Sequence, residues 1–233
     1  NKLQSGEGYR SENIFYRALF NLFKDFHEYL YQNIKNKKVL DYGCGVGSLT
    51  EKVIKGDPEK IVGIDISNIS IEKAKEKAKN KNLKIEYMVD NCEKSNLKSE
   101  TFDVIYGSGI LHHLDLKNSV KEISRLLKKD GRMIFIEPLG TNPLINIYRK
   151  LTPKSRSEDE HPFLKSDFNF LKSIYGEVKI KYYGFFTLIF FFLYEKPENS
   201  KIFKALSYLD TMIFKLNIFK FLAWSVLINC KKN

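Results

Sequence analysis

A mostly parallel β-sheet with helices on both faces is the fold this sequence predicts. Three observations point to it. Short apolar runs ending in turn residues alternate with segments of helical periodicity between residues 37 and 138. The connections are short, as strand–helix–strand units require. With 43% hydrophobic residues over 233, the chain can bury a substantial core.

The elements follow in order. Residues 13–34, "NIFYRALFNLFKDFHEYLYQNI", space apolar residues at three and four and read as an amphipathic helix; His27 is an ordinary surface or packing residue within it. "KKVLDYG" is a buried strand entering a turn, and "GSLTEKVIKG" is a helix closed by Gly56. "KIVGIDIS" is the second strand, "SIEKAKEKAKN" a helix, "LKIEYMV" the third strand and "TFDVIYG" the fourth. "LKNSVKEISRLLKKDG" reads as a helix ending at Gly131, followed by "RMIFIEP" as the fifth strand. Residues 139–163 read as a loop-rich insertion. A helix near 165–174, a strand near 177–184 and a last strand in "FLAWSVLINCKK" resume the pattern.

Three cysteines, Cys44, Cys92 and Cys230, show no framework spacing, which argues for a reducing, cytoplasmic setting. The first residues lack the apolar core of a secretory signal. A net charge of +11 is spread along the chain with no run dense enough for a nucleic-acid arm, so no specific nucleic-acid partner is expected.

The chemistry gathers at strand ends. "VLDYGCGVGSLT" sets Gly43, Gly45 and Gly47 between a strand and a helix, where a tight turn lets a ligand approach the backbone. The spacing is G-x-G-x-G, not the G-x-G-x-x-G of dinucleotide folds, and Asp41 before it would repel a pyrophosphate while suiting a cationic, amino-bearing ligand. Asp65, ending "IVGIDIS", is placed to accept hydrogen bonds from both hydroxyls of a ribose. Together they imply a nucleoside without phosphates.

"VLDYGCGVG", "VGIDIS", "TFDVIYGSGILHHL" and "LLKKDGRMIFIEP" resemble, in order and spacing, class I S-adenosylmethionine-dependent methyltransferases. Most similar are the small-molecule enzymes of the ubiquinone/menaquinone biosynthesis type, over about residues 37–138. The resemblance implies a Rossmann-like seven-stranded sheet, mostly parallel, with helices on both faces and the last strand antiparallel. Within a single domain, 1–36 would be an N-terminal helical cap and 37–138 the cofactor-binding core. Residues 139–222 would supply substrate-side insertions, a lid and the hydrophobic segment, and 223–233 the last strand. S-adenosyl-L-methionine is the implied cofactor, leaving as S-adenosyl-L-homocysteine. Asp41, Gly43 and Gly45 would contact its methionine portion, Asp65 its ribose and Ile66 its adenine. The family usually reads Gly-Asp-Ala after the third strand, where this chain reads "VDNCE". Asn91 falls at the adenine-binding position, with Asp90 one residue off. Cys44 and Cys92 join this set as small residues in tight places, and Gly107 joins it at the fourth strand.

His112 and His113, in "GILHHLD", are not expected to ligate a metal, because adjacent residues share neither a helix face nor a strand face. In plant O-methyltransferases of similar fold the matching segment reads Leu-His-Asp-Trp with its histidine as base. His112 inherits that candidate role, with a packing role as the alternative, and His113 reads as support. Glu137, ending the fifth strand, and His161, in "SEDEHPF", are further candidates for the same cavity. The first could instead cap a helix, and the second be a solvated loop residue. Tyr9 and Tyr16 could close over the cofactor or simply pack. "NPLI" at 142–145 resembles the Asn-Pro-Pro-Tyr motif of amino methyltransferases but follows the fifth strand, not the fourth, which disfavours that chemistry.

"GFFTLIFFFLY" at 184–194 is far shorter than the ~20 residues of a spanning helix. Residues 201–222 read as one broad apolar helix, with Ser200, Lys204, Ser207, Thr211 and Lys215 as a narrow polar stripe. A core helix, a lid, a homodimer face and peripheral membrane contact all suit 184–222. The expected activity is methyl transfer to a small hydrophobic acceptor, oxygen being preferred to carbon on His112 alone. The alternatives are an inactive cofactor-binding partner subunit and, less favoured, a nicotinamide-dependent oxidoreductase.

Overall fold

The computed structural model describes residues 14–152, 160–192, 196–197 and 199–233. Among them, seven strands join in one sheet: β1 Lys38–Tyr42, β2 Lys60–Asp65, β3 Glu86–Val89, β4 Phe102–Ser108, β5 Leu127–Pro138, β6 Glu177–Tyr183 and β7 Ser225–Lys231. Their order is β3-β2-β1-β4-β5-β7-β6. β1 pairs in parallel with β2 and β4, and β7 lies antiparallel between β5 and β6. The expected sheet, with its antiparallel last strand, is the one observed.

Strand alternation sorts the core into two layers. Leu40, Tyr42, Ile64, Ile105 and Phe135 face one side, against helix α4 (Leu116–Leu126) and helix α6 (Lys165–Ile174). Val39, Ile61, Val104, Tyr106 and Ile134 face the other, against Leu22, Phe26, Leu30 and Ile34 of α1 (Phe20–Ile34). The helix read over 13–34 is thus α1, entered through a 3-10 turn at Ile14–Leu19.

Several boundaries differ from expectation. After the glycine turn only Thr50–Val53 is α-helical (α2), followed by a 3-10 turn, Ile54–Gly56. The left-handed residue closing it is Asp57, not Gly56. α3 (Asn68–Asn80) starts on the Ser67 cap, whose hydroxyl accepts from the Ser70 N–H. α4 stops at Leu126 and does not run to Gly131. Its last carbonyls, those of Arg125 and Leu126, accept from the Glu100 and Thr101 N–H groups, and Leu127 already pairs with Phe102 in the sheet. Residues 128–131 take up a register shift in β5, with Asp130 left-handed at φ 61°.

The described part of the insertion at 139–163 carries a helix where a loop is expected. Asn142 caps α5 (Pro143–Leu151), accepting from the Ile145 N–H, and donates to the Leu222 carbonyl. The "NPLI" asparagine is therefore a capping residue. The segment read as one helix over 201–222 divides into α7 (Lys201–Ile213) and a 3-10 turn, Asn217–Leu222. Phe186–Phe192 is also a 3-10 segment.

Candidate active site

β1 has β2 on one side and β4 on the other, so the following connections part at their carboxyl ends. That crevice is where open α/β sheets take ligands. The glycine turn fills it from β1. Gly43 has φ +73°, and a Cβ there would lie 2.4 Å from Ile110 Cγ1, so only glycine fits beneath the Ile110 side chain. Gly45 has φ +52° and no atom within 4 Å of a Cβ position, so the turn opens outward there. Its N–H donates to Asp65 Oδ2 at 2.9 Å, and the Ser67 N–H donates to Oδ1 at 2.9 Å. Asp65 therefore staples the β1 and β2 turns together. A carboxylate has about four acceptor sites, so two remain for the hydroxyls of a ribose. Ile66 beside it is 73% exposed, an uncovered apolar surface suited to a planar ring. Open backbone at Gly45, spare acceptors at Asp65 and a bare Ile66 are together the features a phosphate-free nucleoside requires.

Asp41 lies below the glycine turn, at the end of β1. It is 1% exposed, and its Oδ2 accepts from Thr50 Oγ1 at 2.7 Å and the Tyr106 hydroxyl at 3.0 Å. At that burial it shapes the turn from beneath. Gly107 has a packing reason, since a Cβ would meet Phe135 at 2.5 Å. Asp90 is turned into its own loop, accepting from Asn91 N, Asn96 N and Asn96 Nδ2. Asn91 is exposed, with its Oδ1 accepting from Glu93 N at 2.8 Å, and so is the residue facing outward after β3. Cys44 and Cys92 are buried and free. Burial, with Asp41 and Asp65 nearby, pushes the Cys44 thiol far up; burial foremost raises Cys92 to about 12. Neither is a nucleophile near neutral pH.

Past β4, Leu111–His113 forms a 3-10 turn. Glu137, 2% exposed at the end of β5, holds it: Oε1 accepts from the N–H groups of Ile110 (3.0 Å) and Leu111 (2.9 Å). Oε2 lies 2.6 Å from His112 Nδ1. An ionised carboxylate only accepts, so the Nδ1 proton points at Glu137, and in the neutral imidazole the lone pair then lies on Nε2. Glu137 is thus both the turn cap and the orienting partner of His112. The insertion returns to the same place: the His161 N–H donates to the His112 carbonyl at 2.7 Å, and Phe163 bridges to Leu139. The His161 side chain is itself exposed. Tyr9 and the Tyr16 side chain lie outside the described residues.

One group was not singled out in the sequence. Ligand atoms of His112, His113 and Glu160 all lie within 4.8 Å of one another. The argument that adjacent histidines share no face holds for helices and strands; in the 3-10 turn the rings lie with centroids 4.0 Å apart. Glu160 sits in an acidic stretch, "SEDE", with nothing to distinguish it from its neighbours.

A family model described as a methyltransferase domain matches residues 33–180, well over half of the chain. The chain belongs to the methyltransferase domain family. S-adenosylmethionine is accordingly the cofactor, and Gly45, Asp65 and Ile66 line the cradle at the ends of β1 and β2. The methyltransferase is 43% identical over 122 residues to a ubiquinone biosynthesis O-methyltransferase of Pelagibacter ubique, covering 52% of this chain and 50% of that protein. It is 35% identical over 118 residues to a demethylmenaquinone methyltransferase of Lactococcus lactis, covering 48% and 45%. The chain thus spans about half the length of the curated relatives it matches. Its fold is similar to that of geranyl diphosphate C-methyltransferase from Streptomyces coelicolor, solved with Mg2+, geranyl diphosphate and S-adenosyl-L-homocysteine. The TM-score is 0.66 at 14% identity, covering 91% of this chain and 80% of that one.

Proposed function

We propose that this methyltransferase moves the methyl group of S-adenosylmethionine to an oxygen of a small hydrophobic acceptor, a ring phenol of the quinone-precursor type, with His112 as the base. The observation that carries the reading is the 2.6 Å contact between Glu137 and His112 Nδ1 at the carboxyl edge of the sheet. It leaves Nε2 free to take a proton. The cofactor supplies an electrophilic methyl on a sulfonium. The protein's share is alignment and proton removal: as the acceptor oxygen bonds to the methyl carbon, its proton passes to Nε2, and the carbon–sulfur bond breaks to a neutral thioether. Glu137 then faces an imidazolium and stabilises it. The two quinone-pathway relatives support the acceptor class, and the one named as an O-methyltransferase supports the oxygen preference.

The test follows labelled methyl transfer to a short-chain prenylated catechol. His112→Ala is expected to lower turnover about 10²-fold or more with affinity for S-adenosylhomocysteine unchanged. Unchanged turnover reduces His112 to a packing residue. A chain that binds S-adenosylhomocysteine yet transfers to no acceptor, even beside a partner enzyme, would instead be a cofactor-binding subunit.

The convergence of His112, His113 and Glu160 favours a second reading, in which a divalent cation held there binds the acceptor oxygen and lowers its pKa. Under it Glu137 orients a metal-bound imidazole. Calorimetry with Zn2+ and Mn2+, and turnover before and after chelation, separate the two: no binding and chelator-insensitive turnover leave the base reading alone.

A further inference from the structure

α7 shows its apolar side outward. Phe203 and Asp210 on α7 are buried, as is Phe214 just beyond it. The opposite face carries Ile202, Leu209 and Met212, all exposed; Leu216 beyond the helix end is exposed too, and the 3-10 turn that follows adds Ile218 at 72% and Phe221 at 48%. The polar stripe of α7 turns instead along one flank. There Ser207, Thr211 and Lys215 help line a cleft of about 340 Å³ against β6, with Lys24, Lys181 and Lys220 also on its wall. Both acids of that cleft are committed. Asp25 pairs with Lys181 and the Tyr183 hydroxyl, and Asp210 accepts from the N–H groups of Phe185 and Phe186 and from Thr187 Oγ1. Lys24 has only a loose, exposed pairing with Glu28 at 3.8 Å. Lys220 lies over the Tyr182 ring, and Lys201 and Lys204 are exposed on α7 itself.

The apolar surface continues past α7. Thr141 Oγ1 donates to the Phe221 carbonyl at 2.9 Å and Asn142 donates to that of Leu222. These bonds seat the start of α5 against the turn, and α5 exposes Leu144, Ile147 and Leu151 along one stripe. Large uncovered apolar surface bordered by lysines is the composition that lies in a membrane interface: apolar groups enter the acyl boundary and ammonium groups meet anionic headgroups. No helix of the described residues is long and apolar enough to cross a membrane.

We infer that α7, the turn at 217–222 and the lysine-lined cleft form a docking surface for an anionic lipid bilayer. Charge selects this occupant. A second copy joined about a two-fold axis would bring the same lysine-rich patch against itself, which like charges oppose. An anionic headgroup layer complements the cleft and receives the apolar face at once.

The test is co-sedimentation of the full chain with phosphatidylcholine vesicles, with and without phosphatidylglycerol. Binding to the anionic vesicles should be at least about tenfold tighter and should weaken with added salt. Leu216→Ser/Ile218→Ser/Phe221→Ser, all at exposed positions, should lose about tenfold or more. The melting temperature and S-adenosylhomocysteine affinity should not change. Lys204→Gln/Lys215→Gln should lose affinity for anionic vesicles only. Absence of binding to either vesicle overturns the inference. So does binding that the apolar triple variant leaves intact, which is charge attraction alone. A dimer in light scattering that the triple variant dissociates, without vesicle binding, assigns the face to a second copy. None of these readouts uses methyl transfer, so they stand or fall separately from the acceptor and base.

Discussion

Glu137 serves two ends at the residue scale. One oxygen caps the turn at Ile110 and Leu111 while the other fixes the tautomer of His112. Glu137→Gln separates the roles. The amide oxygen can still accept from the turn, but its NH2 group then faces Nδ1 and forces the proton onto Nε2, the nitrogen that the proposed base role needs free. The expected outcome is a fall in kcat of about 10²-fold or more with the donor KM unchanged. A lower melting temperature with unchanged kcat would leave Glu137 as a cap only. At this scale the sequence shows polar residues at strand ends, because the runs "IVGI" of β2 and "MIFI" of β5 lead straight into Asp65 and Glu137, and a carboxylate there stands out. Burial is not visible in the same way. Asp41 and Asp65 look equivalent in sequence, yet one lies under the turn and the other across it. Glu160 is one acid among several, and only the return of the insertion onto the His112 turn singles it out.

At the scale of elements, α4 holds the loop after β3 through one pair of side chains. Glu122 accepts from Ser95 N and Oγ and pairs with Arg125 at 2.6 Å, and Arg125 reaches the Leu97 carbonyl at 2.9 Å. Burial alone would raise the Glu122 carboxyl; hydrogen bonds from Arg125 and Ser95 outweigh it and hold the group below the ordinary glutamate range. A carboxyl depressed in the folded state contributes stability that is present above its unfolded pKa and lost as pH falls through the folded one. Glu122→Gln should therefore cost about 1–3 kcal/mol in urea unfolding at neutral pH. The gap to the parent should close below about pH 4. A gap independent of pH would assign the cost to packing. The alternation of elements was legible because buried strands are compact apolar runs between turn residues. Their limits were less so. Nothing in "LLKKDG" forbids helix, and α4 ends early because a distant segment, Glu100–Thr101, takes its terminal carbonyls. Likewise 201–222 reads as continuous helix, while the fold breaks it after Ile213.

At the scale of the whole molecule, the last strand is an interior one. Val226, Leu227, Ile228 and Cys230 are each at most 2% exposed, and β7 hydrogen-bonds to both β5 and β6. Fully burying such a side chain is worth about 1.5–3 kcal/mol, so four rival the whole stability of a typical domain. Ending the chain after Ala223 should leave protein without cooperative thermal unfolding by circular dichroism. A truncated chain that still melts cooperatively would mean that β5 and β6 can close on each other. Strand order itself is not readable from periodicity, since hydrophobic patterning says which segments are strands but not which are neighbours; the family resemblance supplies only the number of strands and the antiparallel last one.

The insertion of β7 between two earlier strands also sets a timetable for synthesis. β5 is complete at Pro138, but its partner begins only at Ser225, several seconds later at a translation rate of about 5–20 residues per second. Throughout that interval one side of β5 offers bare N–H and C=O groups, and β6 has no strand on either flank. The nascent chain is then most exposed to wrong pairing and to capture by chaperones. Emergence of Ser225–Lys231 is the moment at which the two parts of the sheet become one.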